Sequence, residues 1–154
     1  MIVVADTSPV NYLVIIDQIG LLPKLFGTVV VPQAVLDELL AAGSPDPVKT
    51  WLATDPEWID VRSAAALDDS IQLGIGEREA ISLGQEIGAD LMLIDDRKAR
   101  RAALKRGLAV AGTINILESA SKRGLVDLAM AFDRLRETNF RIDTKLLDEM
   151  LDQS

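Results

Sequence analysis

The strongest constraint on the fold is the alternation of short apolar runs with segments that carry helix signals. Residues 2–5, 28–31 and 91–94 are runs of aliphatic, often β-branched residues, which is typical of strands buried on both faces of a sheet. Ser8 and Pro9 follow the first run as an expected N-cap and a first helical residue, and Pro32 follows the second run. Strands that alternate with helices form a parallel sheet covered on both faces. The sequence therefore predicts an α/β fold, a three-layer α/β/α sandwich with a mainly parallel sheet.

Further segments complete this pattern. Residues 58–61 alternate between apolar and polar types and predict a strand near an edge of the sheet, and residues 108–110 predict another short strand. At 154 residues, with no repeat, low-complexity segment or linker, we expect a single domain over 1–154. Helices are predicted at 9–19, 21–26, 33–42, 48–53, 75–87, 98–106, 113–122 and 127–138, and at the end of the chain, where Asp143 is the expected cap of a helix to about residue 152.

The residue types that the chain lacks exclude several kinds of chemistry. The sequence has no cysteine and no histidine, which excludes disulfides, thiolate sites, and triads or metal sites that need histidine. A bound metal must therefore have oxygen ligands, which favours Mg²⁺, Mn²⁺ or Ca²⁺. The N-terminus lacks the basic segment of a signal peptide, and no apolar run approaches the roughly 18–20 residues that span a bilayer. We expect a soluble, cytoplasmic protein that does not interact with a membrane.

The positive charges are distributed unevenly along the chain, and this bears on the kind of partner that the net charge suggests. The net charge of −8 by itself disfavours nucleic acid as a partner. However, 6 of the 16 lysines and arginines fall within residues 97–106. Such a helix either faces phosphates or is a solvated surface, and the residues alone leave both interpretations open.

Acidic residues follow two of the buried strands. Asp6 comes directly after the first run, and the pair Asp95 and Asp96 comes after the third. Because parallel strands bring their carboxyl ends to one edge of a sheet, these acids converge there if the strands are neighbours. Carboxylates a few ångströms apart cannot all stay ionised without a cation. In a chain without histidine, an oxygen-coordinated divalent cation is the natural partner of this cluster.

Two glutamates on predicted helices extend the acidic set. Glu77 projects into the middle of the apolar side of helix 75–87, whereas Glu79, Ser82 and Glu86 fall on the opposite side and are expected to be solvated. A favourable interaction with the helix dipole accounts for an acid in this first turn but not for the face it takes. Glu38 flanks the apolar face of helix 33–42 and, judged from its own helix, is a surface residue.

Several motifs along the chain resemble those of PIN domains, and in particular of VapC-related toxins. The matching pieces occur in the family's order and spacing over nearly the whole chain, and no single one of them is specific. They are IVVADTSP at 2–9, VVVP at 29–32, VLDEL at 35–39, GEREAISL at 76–83, LMLIDDRKAR at 91–100, GTINIL at 112–117, and a tail with FRI at 140–142 and LLDEML at 146–151.

The resemblance implies a Mg²⁺- or Mn²⁺-dependent endoribonuclease, with RNA as substrate, a possible small antitoxin protein as partner, and a homodimer. The family's acidic cluster falls here on Asp6, Glu38, Glu77 and Asp95 as catalytic residues, with Asp6, Glu77, Asp95 and the neighbouring Asp96 as metal ligands. The family often has a small hydroxyl residue beside its first aspartate, a place that Thr7 or Ser8 fills. The basic helix begins next to this cluster, and with these hydroxyls we expect Arg97 and Arg100 to contact substrate. Many VapC toxins have aspartate where this chain has Glu77.

Competing interpretations differ in what they require. A haloacid-dehalogenase-type phosphatase needs a second aspartate two residues after the first, where this chain has Ser8. A phosphorelay receiver needs an acidic pair after its first strand, which this chain lacks. A PIN fold that only binds a protein or RNA stays open as the alternative, since it differs from an active nuclease only in what its acidic residues do.

The apolar residues near the N-terminus have two interpretations. Leu13, Ile16 and Leu21 form either a homodimer face or part of the core.

Overall fold

The computed structural model describes residues 1–141, 148 and 150–152. Its centre is a five-stranded sheet in which every strand pairs in parallel with its neighbours, in the order β3-β2-β1-β4-β5. The β1 strand therefore lies in the middle, between β2 and β4. The strands are β1 (Val3–Ala5), β2 (Val29–Pro32), β3 (Ile59–Arg62), β4 (Leu91–Leu93) and β5 (Val110–Ala111). The expected edge position of the 58–61 strand is confirmed, because β3 ends the sheet.

Helices cover both faces of the sheet. Alternation along β1 sends Val3 and Ala5 into a core with helices α1, α2, α3, α7 and α8, while Val4 joins a second core with α5 and α6. The α/β/α sandwich predicted from the sequence is confirmed. The helices are α1 (Thr7–Ile15), α2 (Leu21–Phe26), α3 (Gln33–Leu40), α4 (Asp46–Leu52), α5 (Ile75–Ile87), α6 (Arg97–Lys105), α7 (Thr113–Lys122) and α8 (Leu128–Arg136).

The strand order places the carboxyl ends of β1 and β4 side by side at the point where the direction of winding reverses. The chain proceeds from β1 to β2 and β3 on one side, and then crosses to β4 and β5 on the other. Crevices outside such a switch point are the usual ligand sites of open parallel sheets. Asp6 and Asp95, which follow these two strands, are therefore neighbours at this edge.

Two element boundaries differ from the sequence prediction in informative ways. Helix α1 begins at Thr7 with Asp6 as its N-cap residue, so the prediction of Ser8 as the cap was wrong. The Ser8 side chain instead donates a hydrogen bond to Asp95, a residue that is close only in the folded chain. The last strand begins at Val110 rather than at residue 108, because its register is set by pairing with Met92.

The apolar residues near the N-terminus belong to the core. Leu13, Ile16 and Leu21 are at most 2% exposed, so they offer no surface for a homodimer. Residues 148 and 150–152 are helical, whereas the predicted Asp143 cap lies outside the described residues. In the described part of the chain, no helix is long and apolar enough to cross a membrane.

Candidate active site

Asp6 is buried at the end of the central strand and one of its oxygens has no partner. Its backbone N–H donates to Leu93 O at 2.9 Å, which continues the β1–β4 pairing by one residue. Although Asp6 is the N-cap residue of α1, its side chain makes no cap hydrogen bond, and Oδ1 is buried with no partner among the described residues. Burial raises the pKa of Asp6 to about 7, with Glu77, Glu38 and Asp95 adding to the rise and the backbone N–H of Thr7 opposing it. Asp6 is thus a buried acid with one oxygen, Oδ1, that has neither a cation nor a donor among the described residues.

Glu38 reaches the site from α3 and is held there from two sides. Its Oε2 accepts a hydrogen bond from Thr7 Oγ1 at 2.5 Å. Its carboxylate also lies against the backbone of Gly76, where a Cβ atom would collide with it. Gly76 therefore gives the Glu38 carboxylate the space to lie beside the first turn of α5. The side chain is solvent-exposed, as its helix predicted, yet it faces the site.

Glu77 lies in the first turn of α5 and is partly buried, in agreement with the inward face predicted for it. Its Oε2 is buried without a hydrogen-bond partner. Burial raises the pKa of Glu77, and the neighbouring Asp96 and Glu38 carboxylates raise it further. Glu77 and Asp6 therefore share one feature, a buried carboxylate oxygen that none of the described residues satisfies.

Asp95 and Asp96 are adjacent in sequence but have different surroundings. Asp95 Oδ1 accepts from the Thr113 N–H at 2.7 Å, and Oδ2 accepts from Thr113 Oγ1 at 2.7 Å and from Ser8 Oγ at 2.9 Å. The exposed Asp96 caps α6 by accepting from Ala99 N–H at 3.0 Å. Asp95 thereby ties α1 and α7 to the end of β4, whereas Asp96 faces the cavity described next.

One cavity of about 430 Å³ brings most of these side chains together. The part of it formed by the carboxylate residues is called its acidic end here, and uncharged residues of α1, of the loop after α3 and of the chain after α8 line the rest. The residues that line it are Asp6, Glu38, Glu77, Asp96, Thr7, Ser8, Asn11, Tyr12, Ile15, Gly43, Pro45 and Asn139. Asp95 lines a separate cavity of about 380 Å³ on the side of α6, together with Arg97, Arg100, Arg101 and Leu104.

The donor set of the acidic end fits a hydrated Mg²⁺ or Mn²⁺ ion. As they stand, no three acidic side chains of the described residues are arranged to hold one ion between them. Mg²⁺ does not need three, because it usually keeps several waters and binds through one or two carboxylates plus phosphate oxygens. The two unpartnered oxygens, Asp6 Oδ1 and Glu77 Oε2, match this requirement. Both acids have raised pKa values, as expected for carboxylates without a neutralising charge.

The basic helix α6 begins beside the site, but its arginines differ in availability. Arg100 is partly buried, and its guanidinium donates to Ile94 O at 3.3 Å, so it is held against the end of β4. Among the described residues, Arg97, Lys98, Arg101 and Lys105 are exposed and have no acidic partner within ion-pair distance. Of the two predicted substrate-contacting arginines, Arg97 is therefore the one that is free to reach a ligand.

The far side of α5 corrects one prediction from the sequence. Glu79 is half-buried and Ser82 is buried. Glu79 Oε1 accepts from the Ala34 N–H at 2.8 Å, at the start of α3, and the buried Ser82 accepts from Asp68 N–H at 2.9 Å. The irregular segment 63–74 covers this side of the helix, which periodicity within α5 cannot reveal. Glu79 thereby links α5 to the helix that carries Glu38.

Sequence reasoning also missed residues that shape the site without being acidic. Thr113 lies at the same edge of the sheet, after β5, and provides two hydrogen bonds to Asp95. A Cβ at Gly112 would lie 2.8 Å from Asp95 Oδ1, so this glycine also makes room for a carboxylate. The sequence did contain a signal for them, because this glycine and threonine come directly after a strand, as Asp6 does. Asn11 had no such signal.

The fold and the site together define an α/β domain with an acidic cavity at the switch point of a parallel sheet. The model of the DUF3368 family, described as a PIN domain, matches residues 2–154, and the chain belongs to this family. The predicted resemblance to PIN domains is thus confirmed, and with it a nuclease fold, because PIN domains are generally nucleases, whereas the likeness to VapC-related toxins stays a prediction. No curated protein matches the chain.

Among solved structures, the chain is similar to a PilT N-terminus domain protein from the hyperthermophilic archaeon Sulfolobus solfataricus P2. The TM-score is 0.61 at 20% sequence identity, over 78% of this chain and 93% of that chain. At this identity the similarity concerns the fold alone.

Proposed function

We propose that this chain is a Mg²⁺- or Mn²⁺-dependent endoribonuclease that cleaves RNA phosphodiester bonds. The observation that carries the proposal is the pair of buried, unpartnered oxygens, Asp6 Oδ1 and Glu77 Oε2, in a cavity that Glu38 and Asp96 also line. Buried acceptors without donors are costly, and they are typical of functional sites. The nuclease fold of the PIN family supports the same conclusion.

In this proposal Asp6 and Glu77 would hold the cation, and the nearby acids Glu38, Asp95 and Asp96 would act on it through water. A bound divalent ion supplies an acidified water as nucleophile and neutralises charge on the phosphate. Thr7 keeps the Glu38 carboxylate oriented by its hydrogen bond. Ser8 orients Asp95 in the same way, so that the two predicted hydroxyl residues act on carboxylates.

The basic surface of α6 provides the phosphate contacts. Arg97 follows Asp96 directly, and Lys98, Arg101 and Lys105, which are exposed and have no acidic partner in the described part of the chain, continue along the helix. When such residues neutralise phosphates, the counter-ions condensed on the nucleic acid are released, which favours its binding even to a protein of net negative charge. Arg100 contributes by fixing the end of β4 beside the site, and its contact with substrate stays a prediction.

The test is RNA cleavage by the folded Asp6→Asn variant with Mg²⁺ or Mn²⁺. We expect cleavage to fall by about 10²- to 10³-fold, because the variant loses the central carboxylate charge. Asp37→Asn is the matched control, since Asp37 is exposed on α3 and interacts with Gln33. Unchanged cleavage by Asp6→Asn contradicts the proposal. If the wild-type protein binds RNA but cleaves none with either metal, the chain is the inactive binding module instead.

We further propose, from the resemblance to VapC-related toxins, that the chain is the toxin of a toxin–antitoxin pair. Support comes from the family and from a site that suits RNA, and the antitoxin and the homodimer are expectations of the same resemblance. Induced expression of the wild type is expected to arrest growth, and Asp6→Asn to relieve the arrest. Normal growth with an active enzyme contradicts the toxin role.

A further inference from the structure

The unpartnered buried oxygens of the described residues are concentrated at one place. They are four side-chain atoms, and three of them, in Asp6, Glu77 and Asn11, belong to residues that line the acidic cavity. The fourth is in Ser44, between two residues that also line it. A cation explains the two carboxylates. It does not by itself explain Asn11, which is neutral and lies farther along α1.

The position of Asn11 follows from the geometry of α1. Thr7, Asn11 and Ile15 are four residues apart, so they form one stripe along the helix. Asn11 lies one turn, about 6 Å, beyond Thr7, and its side chain leans toward the N-terminus of the helix, where Thr7 contacts Glu38. Asn11 is thus next to the acidic end of the cavity. At this distance it can contact the part of a ligand that adjoins the group bound at the acidic end.

The end of the cavity around Asn11 is neutral and well fixed. Tyr12 Oη donates to Asn139 Oδ1 at 2.7 Å, which connects α1 to the segment after α8. The Tyr12 ring packs edge-to-face on Phe140, with ring centroids 4.7 Å apart. These contacts satisfy the Asn139 oxygen, whereas Asn11 Oδ1 has no partner. Asn11 is therefore the group on this wall that still requires a hydrogen-bond donor.

The two ends of the cavity suit different parts of one nucleotide. The acidic end takes a phosphate together with a cation, while the neutral wall has no charge with which to hold a second phosphate. A carboxamide instead pairs with hydroxyl and amino groups. The terminal torsion of an asparagine is soft, so Asn11 can turn its oxygen toward such a donor.

We propose that the Asn11 carboxamide binds a neutral hydrogen-bond donor of the nucleotide next to the scissile phosphate, either a ribose hydroxyl or an exocyclic amino group of the base. The inference rests on the proposed ribonuclease function and adds a substrate-positioning residue to it. The 2′-hydroxyl distinguishes RNA from DNA, and the amino groups distinguish bases. Asn11 therefore contributes to substrate selection.

The experiment is a cycle that combines protein variants with modified substrates. A short RNA with one mapped cleavage step is compared with versions that lack the 2′-hydroxyl at that step, or lack the amino group of the adjacent base. For wild type, Asn11→Ala and Asn11→Leu, kcat and KM are measured with Mg²⁺, and the affinity for each RNA is measured by fluorescence anisotropy with Ca²⁺. Gln85→Ala is the control, because Gln85 is an exposed carboxamide that lines a different cavity.

We expect both Asn11 variants to weaken binding and raise KM on the parent RNA by on the order of tenfold, with little change in kcat. On the RNA that lacks the bound donor, wild type shows the same loss and the variants lose nothing further. The modified RNA on which wild type and the Asn11 variants behave alike identifies the donor. It is the ribose if that RNA lacks the 2′-hydroxyl, and the base if it lacks the amino group. If the Asn11 variants lose the same affinity, relative to wild type, on every RNA, the proposal is overturned. It is also overturned if neither variant loses affinity, because the Asn11 oxygen then binds only water.

The outcomes also separate this inference from the proposed function. Cleavage that does not depend on Asn11 overturns the inference and leaves the nuclease in place. Binding that depends on Asn11 and on the donor, without cleavage by wild type, supports the subsite and contradicts the nuclease. The absence of both binding and cleavage contradicts both.

Discussion

Asp6 and Asp95 follow neighbouring parallel strands, yet their carboxylates differ in the hydrogen-bond donors around them. Asp95 receives three hydrogen bonds, from Thr113 and Ser8. Asp6 is 4% exposed, has an oxygen without a partner, and has a pKa raised to about 7. Hydrogen-bond donors offset the cost of removing a carboxylate from water, whereas an unsatisfied buried carboxylate destabilises the fold. The comparison separates an acid whose oxygens the fold satisfies from one that has an oxygen without a partner among the described residues.

The largest expected effect is on the free energy of unfolding, because the buried Asp6 carboxylate destabilises the folded protein when it is charged. For Asp6 the folded pKa of about 7 lies above the unfolded value of 3.8, so the native state binds the extra proton between these pH values. The wild type therefore loses stability as the pH rises through this window, by on the order of 4 kcal/mol in total. Without metal, Asp6→Asn should be more stable than wild type by about this amount at pH 8, and by only about 1 kcal/mol at pH 4.5.

Urea unfolding at the two pH values, in the presence of a chelator, measures this difference. Added Mn²⁺ should then stabilise the wild type at pH 8 but not the variant, because a ligand of the native state shifts the unfolding equilibrium. A gain in stability that is equal at pH 4.5 and pH 8 would falsify the assignment of a buried, charged Asp6.

A second prediction concerns the space that Gly76 provides for Glu38. In Gly76→Ala the new Cβ meets the Glu38 carboxylate, which must leave its place beside Thr7. We expect the affinity for Mn²⁺ and the rate of RNA cleavage to fall by about 10- to 100-fold, as for the loss of a group that supports a metal site. Isothermal titration and cleavage assays measure the two quantities.

Gly74→Ala is a matched control for this substitution in the same turn. A Cβ at Gly74 comes no closer than 3.9 Å to Glu77 Oε1, an ordinary contact, and the backbone there is of a kind that alanine adopts. If both variants bind metal equally well, Glu38 does not belong to the metal site.

The sequence predicts those parts of this site that depend on local patterns. The strand before Asp6 and the bounds of α5 follow from runs and periodicity of neighbouring residues, and α5 was predicted with the bounds Ile75–Ile87 that the structure has. The inward face of Glu77 follows from the same periodicity. These features need only a few residues on either side, which the sequence contains.

The rest depends on contacts between distant parts of the chain. Asp95 and Asp96 differ only because Thr113 and Ser8 happen to reach the first of them, across 18 and 87 positions. Glu79 was expected in solvent, but it accepts from the N–H of Ala34, in a helix 45 positions away. No periodicity within one helix encodes such partners.

A smaller effect is expected from the donors of Asp95. Thr113→Val keeps the volume and the N–H of residue 113 but removes the hydroxyl that donates to Oδ2 at 2.7 Å. Asp95 still accepts from Ser8, so the free energy of unfolding should fall by only about 1–2 kcal/mol. Cleavage should decrease far less than in Asp6→Asn. If Thr113→Val abolishes metal binding while the protein stays folded, Asp95 is a metal ligand of the same rank as Asp6.

The smallest effect should come from the basic surface of α6, because exposed charges contribute individually little. Arg101→Gln removes one exposed cation that has no acidic partner among the described residues. We expect RNA binding to weaken a few-fold at low salt, and the slope of log affinity against log salt to decrease by about one. Lys122→Gln is the control, since Lys122 is also exposed but pairs with Glu118 at 3.7 Å on α7. If both variants change the slope equally, the RNA is attracted by charge anywhere on the surface, and α6 has no special part in binding it.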